Sequence, residues 1–190
     1  MKRAFLAELP LDTLYECAFS GLVSVSIRVF DIIRFDDADI ARLAAAWPHL
    51  RTLSLCDAGE MVPACTLASL MSLARGCPDL EKLALAIDAT ELPRDHLEGS
   101  TLARSPCRLR KLDVLRAPIG SEPERVASLL TRYFPFLEPL DVEAKLQWDS
   151  ELPFQQDSQR RERWAEVKRL MPAFLEARKT GIYGRVANRA

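Results

Sequence analysis

One pattern of leucine-like side chains returns along the chain at an almost constant interval. In its clearest copy, Leu50, Leu53 and Leu55 are separated by offsets of three and two. Leucine, isoleucine or valine fills the same offsets in four other copies, which begin at Leu22, Leu80, Leu109 and Leu137. Successive copies of this leucine frame therefore start 28, 30, 29 and 28 residues apart. One such triplet is common by chance, whereas five in near-register indicate a structural repeat.

A proline stands shortly before four of the five frame copies. Pro48, Pro78 and Pro135 lie two residues before the frame, and Pro106 lies three residues before it. Proline cannot continue a helix interior, and it biases the residue before it towards extended backbone. Each proline therefore predicts that a helix ends just where the next strand begins.

A period of about 20–29 residues with the spacing L-x-x-L-x-L is typical of leucine-rich repeats. We therefore predict an α/β leucine-rich-repeat solenoid of about five ribs: a right-handed α/β superhelix with a short parallel sheet on its concave face and helices on its convex face. No rib can bury its leucines alone, so neighbouring ribs must stack. A C-terminal helix with Trp164, Val167 and Met171 along one side is predicted to cap the array, and Pro172 to kink or break that helix.

The repeat divides the chain into four predicted parts. Residues 1–21 form a partial incoming rib or N-terminal cap, and residues 22–146 form the leucine-rich repeats. Residues 147–179 form a connector and the C-terminal capping helix, and residues 180–190 a flexible tail. An array that starts in the middle of a rib exposes an apolar edge. We therefore expect either that the folded unit begins before Met1 or that another surface covers this edge.

The alternation of side chains along a strand predicts which residues face a partner. Because strand side chains have period two, Thr52 and Ser54 point outwards while Leu53 and Leu55 point into the stack. The same rule in every copy gives three rows on the concave face, where repeat proteins of this shape usually bind. The predicted protein-binding residues are Ser24, Ser26, Arg28, Thr52, Ser54, Lys82, Ala84, Lys111, Asp113, Leu115, Asp141 and Glu143. The alternative is that these rows are only solvated strand residues.

Charge and hydropathy narrow the class of partner. The net charge of −1 provides no bulk positive field for nucleic acid or anionic lipid. The rows pass from Lys82 and Lys111 to Asp113, Asp141 and Glu143, which favours a protein target of mixed polarity over a phosphate backbone. No apolar run approaches the ~20 residues of a membrane-spanning helix. We expect a monomer that binds a protein target and neither nucleic acid nor a membrane.

Cysteine usage bears on the compartment. The five cysteines are odd in number and include no C-x-x-C pair. Paired cysteines are usual in oxidising compartments, whereas free thiols are usual where glutathione keeps them reduced. A cytoplasmic or nuclear location is the simpler interpretation.

The chain has no spacing that predicts a catalytic, cofactor or metal site. Its two histidines are His49 and His96. His96 stands in an acidic segment, residues 95–98, which lacks an evident fourth metal ligand, so a solvated loop is the preferred interpretation. The glycine motifs that cradle phosphates are absent, and the acidic segment 36–39 is explained by helix capping. We expect a protein that is not an enzyme and uses no cofactor.

Two junctions and the C-terminal helix carry a resemblance to a known family. The junctions read W-P-H-L over residues 47–50 and C-P-D-L over residues 77–80, and the helix reads R-W-A-E-V-K-R-L-M-P-A-F-L over residues 163–175. Together with the frame, over residues 22–175, they resemble the leucine-rich-repeat region of fungal, in particular basidiomycete, F-box proteins.

That resemblance implies a role in recognising substrates. It implies a subunit of a cullin-type ubiquitin ligase whose repeats hold the target and whose F-box binds a Skp1-type adaptor. A full F-box needs three helices before the repeats, so the adaptor is an expected partner only if an F-box lies upstream of Met1. The alternative is a stand-alone leucine-rich-repeat scaffold or inhibitor with no ubiquitin link.

Overall fold

A computed structural model describes residues 21–29, 35–57, 63–93, 107–114, 117–138 and 154–179, with the side chains of 28, 29, 56, 57, 154–157 and 179 outside the description. Strands and helices share these residues, and the expected α/β class is confirmed. In chain order the elements are β1 (Ser24–Val29), α1 (Asp37–Ala46), β2 (Thr52–Asp57), α2 (Leu67–Gly76), β3 (Lys82–Leu85), β4 (Lys111–Asp113), α3 (Pro123–Tyr133) and α4 (Phe154–Lys179).

The four strands form one parallel sheet in the order β1-β2-β3-β4. Each strand pairs with the strand of the next frame copy, so order in space follows order in sequence. The register aligns the frame: Val25 lies beside Leu53, Leu53 beside Leu83, and Leu83 beside Leu112. The parallel sheet and its register are those that the frame spacing predicts.

A capping box starts helix α1. The Asp36 carboxylate accepts a hydrogen bond from the Asp39 N–H at 2.8 Å, and the Asp36 N–H donates to the Asp39 carboxylate at 3.1 Å. These reciprocal bonds satisfy two backbone donors that the first helical turn leaves unpaired. Beyond the cap, Ile40, Leu43 and Ala44 are buried on one side of the helix. The interpretation of the acidic segment as helix-capping residues is confirmed.

The carboxylate of Asp37, in the first turn of α1, also holds the start of α2. It accepts hydrogen bonds from the Thr66 N–H at 2.8 Å and the Thr66 hydroxyl at 2.7 Å. It accepts two more from Ser69, one from the N–H at 3.1 Å and one from the hydroxyl. Asp37 therefore joins the helices of two successive frame copies through side-chain and backbone donors.

The core lies between the sheet and the helices. The buried stripes of α1, α2 and α3 belong to one cluster with the inward residues of the frame. The frame leucines buried in that cluster are Leu50, Leu53, Leu55, Leu80, Leu83, Leu85, Leu109, Leu112 and Leu137. This apolar cluster extends from α1 to Leu137 in the fifth frame copy, and Leu22, Val25 and Ile27 of the first copy pack against it partly buried.

A second line of contacts joins the frame copies outside the main sheet. Single parallel bridges link Thr66 to Asp88 and Ala89 to Ile119. The Gly120 N–H donates to the Ala89 carbonyl at 3.1 Å. A Cβ at Gly120 would lie 2.5 Å from the carbonyl oxygen of Thr90, so only glycine allows the two backbones to approach this closely.

Helix α4 packs against α3 and covers the last part of the core. Trp164, Val167 and Met171 are buried, as their spacing along one side predicts. The Trp164 indole N–H donates to the carbonyl of Ala117 at 2.9 Å. The helix continues through Pro172 to its end at Lys179, so the break that the proline could have introduced does not occur.

The described residues limit which predicted parts can be placed. Residues 1–20, the tail 180–190, the connector 147–153 and the fifth strand beyond Glu138 lie outside them. At the fifth copy, the Glu138 N–H donates to the Arg110 carbonyl at 2.9 Å. Across the described part of the chain, no helix combines the length and apolar composition needed to cross a bilayer.

Candidate functional site

The sheet register arranges eight of the predicted binding residues in two rows. We call these rows together the strand face. The first row is Ser24, Thr52, Lys82 and Lys111, and the second is Ser26, Ser54, Ala84 and Asp113. All eight are exposed or half-buried, whereas the frame residues between them in β2, β3 and β4 are buried. Residues far apart in sequence therefore share one surface.

The other four predicted binding residues lie wholly or partly beyond the described residues. Arg28 belongs to β1 and its backbone lies beside Cys56, but the description does not include its side chain. Leu115, Asp141 and Glu143 lie outside the described residues. Their place on the binding surface stays a prediction.

A groove of about 400 Å³ runs over β2, β3 and β4 on the strand face. Ala84 lies on the central one of these three strands, beside Ser54 and Asp113 in the register. The residues lining the groove are Thr52, Leu53, Ser54, Lys82, Leu83, Ala84, Arg110, Lys111, Leu112, Asp113 and Glu138. These are hydroxyl, basic, acidic and apolar groups, a mixture found at interfaces with other proteins.

Two charged residues of the groove, Arg110 and Glu138, are missing from the predicted site. They belong to a rim row, formed by Arg51, Glu81, Arg110 and Glu138, which directly precedes the strand positions of successive frame copies. The Glu81 N–H and the next N–H both donate to the Arg51 carbonyl, at 2.8 and 3.0 Å. This bulged pairing keeps the rim row beside the strand face. The two-residue alternation of strand side chains does not predict that these positions face outwards. The signal in the sequence is that basic and acidic residues alternate in the rim row from one frame copy to the next.

Three described cysteines are buried and hold their protons. Burial raises the pKa of the Cys65 and Cys77 thiols to about 12 and that of Cys107 to about 11. The Cys77 thiol donates to the carbonyl of Trp47 at 3.5 Å, and the Cys107 thiol to that of Leu80 at 3.9 Å. A nucleophile or metal ligand must be a thiolate. These thiols are therefore part of the packing between frame copies.

The histidine in the described part of the chain lies on the surface. His49 is in the turn before β2, with Nδ1 3.7 Å from the Asp79 carboxylate in the equivalent turn before β3. The His49 side chain is 68% exposed, so this contact is strongly screened by water. Within the described residues no group of three or more histidine, cysteine, aspartate or glutamate side chains could hold a metal. The acidic segment 95–98 lies outside them.

Comparisons with known proteins identify no relative of this chain. The chain was compared with protein-family models, with curated proteins and with solved structures, and none of the three comparisons found a match. The resemblance to F-box proteins stays a prediction from the junction motifs, the leucine frame and the C-terminal helix sequence.

Proposed function

We propose that this chain is a non-catalytic protein-binding module, built as a leucine-rich-repeat solenoid, that holds its target against the strand face. The observation that carries the proposal is the in-register pairing of four parallel strands from successive frame copies. It converts single outward residues, about one period apart in sequence, into continuous rows beside a groove. Such a surface is built by repetition and recognises a partner through many small contacts.

The chemistry of the groove favours binding over catalysis. A catalytic site brings a nucleophile or general base together with a group that orients it. The groove has neither histidine nor cysteine among its described lining residues, and the buried thiols are protonated members of the core. Its alternating basic, acidic and hydroxyl side chains can instead pair with the polar side chains and backbone of a protein segment.

The resemblance to fungal F-box proteins supports a narrower role. In that role the strand face recognises the substrate of a cullin-type ubiquitin ligase. The test is purification of the full-length gene product, followed by measurement of a Skp1-type adaptor in the complex. A stoichiometric adaptor supports the ligase role. An adaptor at background level, beside a retained protein target, favours the stand-alone scaffold or inhibitor.

The binding surface can be tested by site-specific photo-crosslinking in cells that make the protein. A photoreactive residue replaces Thr52 on the strand face or, as the control, Arg75 on the exposed side of α2. We expect Thr52 to capture a defined protein that the Arg75 position does not. Adding Ala84→Arg, which fills the middle of the groove, should remove that capture. Equal capture from both positions, or capture that survives Ala84→Arg in a normally folded variant, would contradict the proposal.

A further inference from the structure

Two lysines stand side by side on the strand face. Lys82 and Lys111 are register partners on the neighbouring parallel strands β3 and β4. Neighbouring strands lie about 4.8 Å apart. The residues that follow them, Leu83 and Leu112, are only 3% and 6% exposed, so the lysines project from the opposite, outer face. Both lysines are exposed, and both line the groove.

No carboxylate in the described part of the chain pairs with either lysine. Neither Lys82 nor Lys111 has a side-chain hydrogen bond or ion pair with another described residue. Like charges directly opposite each other on adjacent strands repel and destabilise the sheet. An anion held between the two ammonium groups would relieve that repulsion. Lys82 and Lys111 therefore form an unfavourable pair of like charges on the exposed strand face.

The surroundings of the lysine pair suit one small anionic group. Thr52, beside Lys82 in the register, offers a hydroxyl donor. Ala84 leaves room in the next row, and Arg110 adds a third cation at the rim. Two carboxylates, those of Asp113 and Glu138, also line the groove. They would repel a continuous run of negative charge but could pair with basic or polar groups on each side of a single anion.

We propose that the strand face recognises a protein segment through one aspartate or glutamate side chain, whose carboxylate sits between Lys82 and Lys111. The inference rests on the proposed function and specifies the chemistry of the partner. Charge complementarity selects a protein segment over nucleic acid, because a phosphate backbone needs a longer positive surface than this groove offers. The segment carries uncharged or basic residues around its acidic anchor, where it meets Asp113 and Glu138.

The test selects binders from a displayed library of random twelve-residue peptides on the wild-type chain. Aspartate and glutamate should be enriched at one peptide position at least fivefold over the unselected library. Binding of the selected peptides should fall at least tenfold on the variant with Lys82→Glu and Lys111→Glu. The matched control carries Arg75→Glu and Lys168→Glu, the same change of charge on exposed helix positions, and should bind normally.

A synthetic copy of one selected peptide then measures the pairing directly. Replacing its acidic residue by the corresponding amide should weaken binding to the wild type tenfold. The same replacement should have almost no effect on the variant with Lys82→Ala and Lys111→Ala, because the charge partners are gone. Fluorescence polarisation measures all four combinations, and thermal unfolding checks that the lysine variants remain folded.

The outcomes separate this inference from the proposed function. Peptides that lack an acidic preference, but lose binding on Ala84→Arg, overturn the carboxylate anchor and leave the binding face intact. Acidic peptides that bind the lysine variants as tightly as the wild type also overturn it, since their anion sits elsewhere. If no selected peptide responds to Ala84→Arg, or none is obtained, both the anchor and the binding face are overturned.

Discussion

Buried cysteine thiols contribute to the contacts between neighbouring frame copies. Cys77 stands three residues before Leu80 and Cys107 two residues before Leu109, and each thiol donates to a backbone carbonyl that precedes it by about one period. Cysteine fits there because it is small and apolar and still has a weak donor. Trp47 stands at the place before β2 that is equivalent to that of Cys77, where its side chain is also buried. The first position of the junction motifs W-P-x-L and C-P-x-L therefore holds side chains of very different volume.

The Cys77 thiol should make stability depend on pH in the alkaline range. Burial raises its pKa to about 12 in the folded chain, against an ordinary value of 9.0. Between these values the unfolded chain releases a proton that the folded chain keeps, so rising pH favours unfolding. Above about pH 9, the free energy of unfolding of the wild type should fall more steeply than that of Cys77→Ala. The difference is at most ~1.4 kcal/mol per pH unit for one thiol.

Urea unfolding of both chains from about pH 8 to about pH 11 measures this difference. The Cys77→Ala chain is less stable at every pH because of its cavity, so the comparison is between slopes. Parallel curves would show that the Cys77 thiol ionises as easily in the folded chain as in the unfolded one, against its burial.

At the scale of elements, substitutions in β3 test which face of the sheet packs against the core. Leu83→Ala should lower the free energy of unfolding by about 2–5 kcal/mol, because a central frame leucine leaves a cavity that its neighbours cannot fill. Lys82→Ala, one residue away on the outer face, should change it by no more than about 0.5 kcal/mol. Urea titration measures both. A slip of one residue in the register would exchange the two results.

Helices α1 and α2 depend on each other through Asp37. Asp37→Ala should cost about 1–3 kcal/mol, because the fully buried hydroxyl of Ser69 loses its acceptor. Once that acceptor is gone, adding Ser69→Ala should cost little more and could recover part of the loss. The double-variant cycle, measured by urea unfolding, should therefore be non-additive. Additive losses would mean that the two side chains stabilise their helices independently.

Local patterns predict the elements better than the contacts between them. The frame offsets and the prolines place the strands, and the acidic segment 36–39 marks the start of α1. The hydrogen bond that the Thr66 N–H donates to the Asp37 carboxylate spans 29 residues, and this pairing depends on how two helices are offset in space. Pro172 shows a local rule that tertiary packing overrides in part: the proline could have ended the helix, whereas burial of Trp164, Val167 and Met171 favours one helix that continues past it.

The function of the strand-face residues is harder to predict than the core for a physical reason. An inward leucine is required by the fold, since its absence leaves a cavity. The fold places little constraint on an outward residue such as Ser54 or Lys82. Its residue type can be set by binding to a partner or by no function at all. The pattern therefore predicts where the strand face lies and not what it binds. Arg110 and Glu138 escaped prediction because each directly precedes an outward strand position, where the two-residue alternation predicts an inward side chain.

At the scale of the whole molecule, α4 closes one end of the core. Trp164→Ala should lower the free energy of unfolding by about 3–5 kcal/mol, since the buried indole is lost together with its bond to Ala117. Trp164→Phe keeps most of the volume and should cost about 1 kcal/mol. Lys168→Ala, exposed on the same helix, is the control. Equal stability of all three variants would show that α4 contributes little to the fold.

The groove exists only if the strands lie side by side, parallel and in register. Thr52 and Lys82 are then neighbours about 5 Å apart at Cα, within disulfide range, whereas Thr52 and Lys111 are about 10 Å apart and cannot be bridged. The measurement is disulfide formation under mild oxidation, followed by mass spectrometry of the intact chain. A chain with Thr52→Cys and Lys82→Cys should close its bond, and one with Thr52→Cys and Lys111→Cys should stay reduced. Failure of the first pair, or equal closure of both, would contradict the stacked arrangement and the binding face built on it.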